Sequence, residues 1–558
     1  LSITIFIAIT CYWKMFGGHL ESGKNPDLGI CRELHEQIGY IPKQISFCRS
    51  YLGDQVQRYV FYGVLDVGLD QLELNEGWDM VFLVAVLICS NCVWCFVKDF
   101  KCGEGWMSIT KDIQKCLDCL SKAITDLQGQ VDNEQLTKIS NLIIKTMTGP
   151  WRSFHTPNHI FEVGAGGDAI EVISALFHDL VYVQVDQGIS VNISRYIAPY
   201  IKEDREQLVI LEPPELQEDV IFQIVLMLFG FSHGQALLPM SGQNEFLSAL
   251  IAGKALENIL PFRRLTEIIA CIEATIPFRS QSSSGLTSSE LLFGRLANVN
   301  EVFQLGWDEN EIAEIVKRTV RLSNRDVVNF ASPNSSHFLN NTWNLIPETN
   351  HDLKNVNSYT VHGYRVSMQK MEGFMNYLSP EIVFRRYRNE PDEKSYYKLL
   401  ARTKQNLEVS RLYLGAKLTS IAILEALSFR IGDDIPLSTM MGELPREDKP
   451  VIGLEQFLPE IADPFPPSTP IEAEVLRLLE KGRTVDSSYD IKNSPVTTFM
   501  VKAIGFAEMQ RILGLSKEFF EGNLTHEQLI ANCDNYVIET IKNAVVQLFD
   551  SRKAALSQ

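Results

Sequence analysis

The sequence predicts an α+β chain: a small α/β segment at the N-terminus, then a mostly all-α helical bundle continued by a helical C-terminal region. Three observations carry this. Leu1-Ser-Ile-Thr-Ile-Phe-Ile-Ala-Ile-Thr10 is short, uncharged and rich in β-branched residues, which is the composition of a strand. From Ile109 onward apolar residues recur at i, i+3 and i+4, as in Ile113-Cys116-Leu117-Leu120, Leu136-Ile139-Ile143-Ile144 and Val537-Ile538-Ile541-Ala544-Val545. Nine of the 11 cysteines fall in the first 119 residues, so the two parts are unlike.

At about 150 residues per domain, a chain of 558 residues has room for roughly three or four domains. Its 45% hydrophobic and 22% charged residues are ordinary for a globular protein and exclude disorder, collagen and a many-span membrane protein. With 51 basic against 69 acidic side chains the formal net charge is -18, which argues against a nucleic-acid partner held by general phosphate attraction.

Taken in order, the chain divides into residues 1–85, an apolar Cys-rich linker over 86–106, a helical domain over 107–335 and a helical region over 336–558. The first run lacks the basic start and small-residue cleavage site of a signal peptide, and a cytoplasmic location is expected. Met80 to Val97 is 18 residues without a charge, and three readings stay open for it: a membrane span, a buried strand and helix, or a join between unlike pieces of sequence. Cys89, Cys92 and Cys95, and Cys116 with Cys119, have zinc-like spacing, but they lie in an apolar run and on a helix face, as core or free thiols do. Loops are marked by residues 281–285, 332–336 and 463–470. The region beyond 336 carries no metal or nucleophile signature and is expected to pack, enclose substrate or form a homo-oligomer.

Two strings carry chemistry. Gly17-Gly-His-Leu-Glu-Ser-Gly-Lys24 leads, after seven residues, into Arg32-Glu-Leu-His-Glu-Gln-Ile-Gly-Tyr40. A glycine loop running into a helix puts Glu33 and Glu36 at i, i+3 on one face, where two carboxylates could hold magnesium against a diphosphate. The string resembles the Nudix box, with Gly18, Arg32, Glu33, Leu34, Glu36, Gly39 and Tyr40 in register. Lys24 stands where that family has Glu, and Gln37 where it has a metal-ligating carboxylate; both changes oppose divalent-ion binding. The segment reads as a degenerate, truncated Nudix-like domain.

The second string is richer. Of ten histidines, three fall within 24 residues. Phe154-His-Thr-Pro-Asn-His-Ile-Phe-Glu-Val163 reads as a helix start, with Thr156 at the cap, Pro157 opening the helix and His159 in its first turn. The next helix is expected over Ala169 to Tyr182 and is apolar on nearly every side, so His178-Asp179 would be an ionisable pair in a core. That pairing is costly unless a cation compensates it. His-x-x-x-His followed by His-Asp on an apolar helix resembles the HD-superfamily phosphohydrolases, including the motif of cyclic-nucleotide phosphodiesterases and predicted bacterial HD phosphohydrolases.

The resemblance implies that His159, His178, Asp179 and a later Asp ligate a divalent metal, and that His155 is a general acid. Asp326, in Arg321-Leu-Ser-Asn-Arg-Asp-Val-Val, is the best candidate for the later Asp; Asp186 competes but lies only seven residues beyond the pair. Two imidazoles and two carboxylates suit manganese, iron or zinc, with magnesium also open. Such an ion makes a water nucleophilic near neutral pH, with Asp179 placed to orient or deprotonate it and His155 to protonate the leaving alkoxide. Arg152, Arg263, Arg264 and Arg279 are candidates to hold phosphate oxygens, or ordinary surface charges. Relatives often carry further His after the Thr of a helix like Ile272-Glu-Ala-Thr-Ile-Pro-Phe278; here Ile276, Pro277 and Phe278 stand there, which leaves the number of ions open.

The expected function is therefore metal-dependent hydrolysis of a small-molecule phosphoester, nucleotide or cyclic-nucleotide-like, without nucleic acid or membrane. The alternatives are a non-catalytic protein that holds metal or nucleotide for signalling, and a Nudix-type diphosphate hydrolase.

Overall fold

The computed structural model describes residues 2–9, 12–19, 31, 35, 41, 45–53, 56–64, 104–204, 207–212, 218–355, 358–444 and 451–556. They cluster into two compact units, Leu1–Arg325 and Asp326–Gln558.

The first unit opens with four strands, β1 (Ser2–Ile9), β2 (Tyr12–His19), β3 (Ile45–Gly53) and β4 (Val56–Val64), in the order β2-β1-β4-β3. β1 pairs antiparallel with β2 and parallel with β4, and β3 pairs antiparallel with β4. The first run is thus a strand. The start of the glycine loop expected from residue 17 is corrected, because Gly17 and Gly18 are strand residues paired with Thr4 and Ile3. Cys31 and His35 are helical, while Arg32, Glu33, Leu34, Glu36, Gly39 and Tyr40 lie outside the described residues. So do residues 80–97 with Cys89, Cys92 and Cys95. No helix of the described residues is long and apolar enough to cross a membrane.

From Glu104 the chain is mostly helical. The helices are α1 (Glu104–Asp126), α2 (Asn133–Met147), α3 (Pro157–Gly164), α4 (Ala169–Phe177), α5 (Val183–Asp186), α6 (Val191–Ile197), α7 (Val220–Phe229), α8 (Gln243–Leu256), α9 (Phe262–Ala274), α10 (Ser288–Phe303) and α11 (Glu309–Asp326). A small antiparallel sheet, β5 (Ile201–Asp204), β6 (Gln207–Ile210) and β7 (Ala236–Leu237), interrupts them. The predicted stripes face the core: Cys116, Leu120, Leu136, Ile139, Ile143 and Ile144 are all buried. Cys116 is a buried free thiol, pushed up to about 12 by burial, and Cys119 is free and half-buried.

α4 is the axis of this unit, packed by α1, α3, α8 and α9. Its start is set by a capping box: Asp168 Oδ1 accepts from the Glu171 N–H at 3.0 Å and Glu171 Oε2 from the Asp168 N–H at 2.7 Å. Ile170, Ile173, Ala175, Leu176 and Phe177 are all buried, as an apolar helix with no solvent face requires.

The second unit is built on α14 (Glu393–Ser428), reached after α12 (Ser335–Thr349) and α13 (Val361–Tyr377) and followed by α15 (Pro470–Lys481), α16 (Pro495–Phe520), α17 (His526–Ala531) and α18 (Asn535–Leu556). α13, α15, α16 and α17 pack on α14, whose residues from Tyr413 to Ser428 are buried almost without interruption. Val537, Ile538, Ile541, Ala544 and Val545 form the buried stripe of the last helix.

Candidate metal centre

Three pieces of helical chain bring side chains to one point. The first is the start of α3. Thr156 occupies the cap position in extended conformation, but its side chain makes no capping hydrogen bond; Pro157 opens the helix and His159, buried, is its third residue. His155 stands just ahead, half-buried, its ring 5.6 Å from that of His159 and 4.7 Å from that of Tyr182.

The second piece is the exit of α4, where the expected helix through Tyr182 is corrected. The helix ends at Phe177 and His178 is its cap residue, so His178 and Asp179 occupy a turn at the end of a buried helix. The reason lies upstream in sequence. Arg152, fully enclosed, donates through Nη1 to the Asp179 carbonyl at 2.7 Å and through Nη2 to the Leu180 carbonyl at 3.0 Å. These acceptors beyond the helix end are satisfied without another helical turn. His178 Nδ1 lies 2.8 Å from the Ala175 carbonyl. A carbonyl only accepts, so Nδ1 carries a proton and Nε2 is the nitrogen that faces Asp179.

The third piece is the end of α11, whose last residue is Asp326 and whose preceding turns belong to the first unit. Arginines at i, i+3 and i+7 fasten this helix. Arg318 Nε reaches Asp168 at 2.7 Å and its Nη1 Glu267 at 2.9 Å, Arg321 Nε reaches Glu171 at 3.0 Å, and Arg325 Nε donates to the Val163 carbonyl at 2.8 Å.

One ligand atom each from His159, His178, Asp179 and Asp326 lie within 4.8 Å of one another. That spacing is on the scale of atoms that share one ion through bonds of about 2.0–2.3 Å. Asp179 Oδ2 is the pivot, 2.9 Å from His178 Nε2 and 3.2 Å from His159 Nε2. It is buried and accepts no properly formed hydrogen bond. A buried carboxylate oxygen without a well-formed hydrogen bond, set beside two imidazole nitrogens and near a second carboxylate, is a donor set that suits a divalent ion. Burial pushes the Asp179 carboxyl up. The electrostatic pull of His178 and His155, with the contacts of His159 and His178, outweighs it and holds the group well below the usual carboxylate range, in its ligating form.

No protein-family model, no curated protein and no solved structure matches this chain. The centre therefore rests on its own geometry.

The other candidates take different places. Asp186 turns away to a bidentate pair with Arg152, Nε to Oδ1 at 3.0 Å and Nη2 to Oδ2 at 2.6 Å. The remaining Nη1 donor of Arg152 goes to Met147 Sδ, so its N–H groups are committed and it is not a phosphate ligand. Arg263 pairs with Glu311, Arg264 with Glu267, and Arg279, together with Arg295, with the fully buried Glu273. Two features escaped the sequence: the Arg152–Asp186 pair, for which no local signal exists, and the α11 ladder, which the spacing of Arg318, Arg321 and Arg325 could have revealed.

Proposed function

We propose that the chain is a metal-dependent phosphohydrolase of HD type, acting on a small phosphoester. The observation that carries this is the convergence of two imidazoles and two carboxylates, drawn from three separate elements, around one ion-sized point beside His155. His159, His178, Asp179 and Asp326 would hold a divalent ion there, which would supply Lewis-acid activation of a phosphoryl oxygen and of water near neutral pH. Asp179 would orient or deprotonate the attacking water. His155, at the rim and outside the ligand set, donates a proton to the leaving alkoxide when protonated. The buried floor formed by α4 keeps bulk water from the ligand side.

The test is metal content and turnover of a generic phosphodiester. The wild type is expected to hold metal stoichiometrically and to turn over; Asp326→Ala loses both. His155→Ala keeps the metal and loses about 10²- to 10⁴-fold in turnover, the usual worth of a general acid. Stoichiometric metal with no turnover of any phosphoester overturns the hydrolase and leaves a metal-holding role. Activity that disappears with residues 1–103 but survives Asp326→Ala moves the chemistry to the Nudix-like segment.

A further inference from the structure

We infer that Arg152 and Asp186 form a positioning clamp that sets the distance between the proton donor and the metal ligands, an inference that rests on the metal-centre reading above. Arg152 lies in the connection between α2 and α3, three residues before His155, and its own N–H is fixed to the Gly149 carbonyl at 3.1 Å. Its guanidinium crosses to the ligand-bearing turn, donating to the carbonyls of Asp179 and Leu180. Asp186, on α5, grips the opposite edge with both oxygens. One planar group thus joins the segment that carries His155, the turn that carries His178 and Asp179, and the short helix behind them.

The chemistry explains the residue types. A guanidinium buried without a counter-ion is strongly disfavoured, and Asp186 supplies that counter-ion. The bidentate grip also fixes the guanidinium plane, so that its remaining donors aim at the two carbonyls. A lysine keeps the charge but radiates its donors from one point, and cannot span both carbonyls and the carboxylate. The clamp contributes no ligand and touches no substrate; it acts through the Asp179 backbone.

The experiment uses the full chain with Co2+ as probe, reading affinity and the visible spectrum of the bound ion. Arg152→Lys and Asp186→Asn are each expected to weaken Co2+ binding about 10- to 100-fold, the range for residues that orient metal ligands, and to shift the spectrum. The double variant should be no worse than the weaker single one, because the two residues act as a unit. Asp219→Asn is the control for general destabilisation, since Asp219 is a part-buried partner of Tyr200 and Lys254 in the same unit; it should bind Co2+ as the wild type does. If Arg152→Lys does not fold, the near-isosteric Asp186→Asn carries the test. Wild-type affinity and spectrum in the variants overturn the clamp, as does an equal loss in Asp219→Asn. A loss in Asp186→Asn beside wild-type binding by a folded Arg152→Lys makes Asp186 a ligand instead. A wild-type chain that takes up no Co2+ overturns the metal centre itself, and the clamp with it.

Discussion

Asp490 shows how much one carboxylate can organise. Its Oδ2 receives the Trp343 indole N–H at 2.8 Å, the Tyr364 hydroxyl at 2.9 Å and the Lys417 ammonium at 2.9 Å, with Arg483 Nη1 3.6 Å away and the Arg483 guanidinium stacked 4.3 Å from the Trp343 ring. Two buried cations depend on this one acid, so Asp490→Ala is expected to destabilise the second unit by about 3–5 kcal/mol, the usual result of leaving buried charge uncompensated. The pH dependence has a defined sign. Burial pushes the Asp490 carboxyl up, but Lys417 and Arg483 pull it below its ordinary value. A depressed folded-state pKa gives stability that is full above the unfolded value of about 3.9 and is lost as pH falls through the folded one. Urea unfolding should therefore show an Asp490 contribution that is flat from about pH 5 upward and shrinks below about pH 4. A contribution that shrinks on the alkaline side would reverse the assignment.

At the scale of elements, boundaries are decided by contacts that local pattern does not contain. α16 breaks at Gly505, where φ is 76° and ψ 164°, and a Cβ there would stand 3.3 Å from the Phe465 ring. That conformation is nearly exclusive to glycine, so Gly505→Ala should cost about 1–3 kcal/mol in urea unfolding; an unchanged midpoint would mean that the break is not required. In sequence, Lys502-Ala-Ile-Gly-Phe506 reads as continuous helix, because a single glycine is only a weak breaker. The end of α4 was hidden for the same kind of reason, since the donors that terminate it come from Arg152, 27 residues before Asp179. What could be read was whatever one helical turn encodes: the strand composition of Ser2–Ile9, the buried stripes of α1, α2 and α18, Pro157 and His159 in the first turn of α3, and the adjacency of His178 and Asp179. Asp326 was chosen because a fourth ligand had to come from a helix well downstream of the His178-Asp179 pair; the helix expected to continue past it ends there. The spacing of Arg318, Arg321 and Arg325 marks one helix face, but their partners could not be found, because pairing with a distant helix does not say which carboxylate is met.

For the whole molecule, the net charge of -18 and the fate of the candidate arginines together predict how the proposed hydrolysis should respond to salt. Arg152, Arg263, Arg264 and Arg279 are each neutralised by a carboxylate, so under the proposed function an anionic ester would approach a surface whose net field repels it and meet its chief attraction in the metal centre. Raising salt from about 0.01 M to about 0.1 M shortens the screening length from about 30 Å to about 10 Å, which removes the long-range repulsion while a contact with a bound ion persists. kcat/KM for a small anionic diester should therefore rise by a small factor over this range. An enzyme that gathers nucleic acid through basic residues behaves oppositely, its binding falling steeply as counterions compete. Steady-state kinetics at fixed pH and metal concentration separate the two: a rise fits a small phosphoester drawn to one metal centre, whereas a steep fall would require a basic surface that pairs with phosphates and would sink the small-substrate reading.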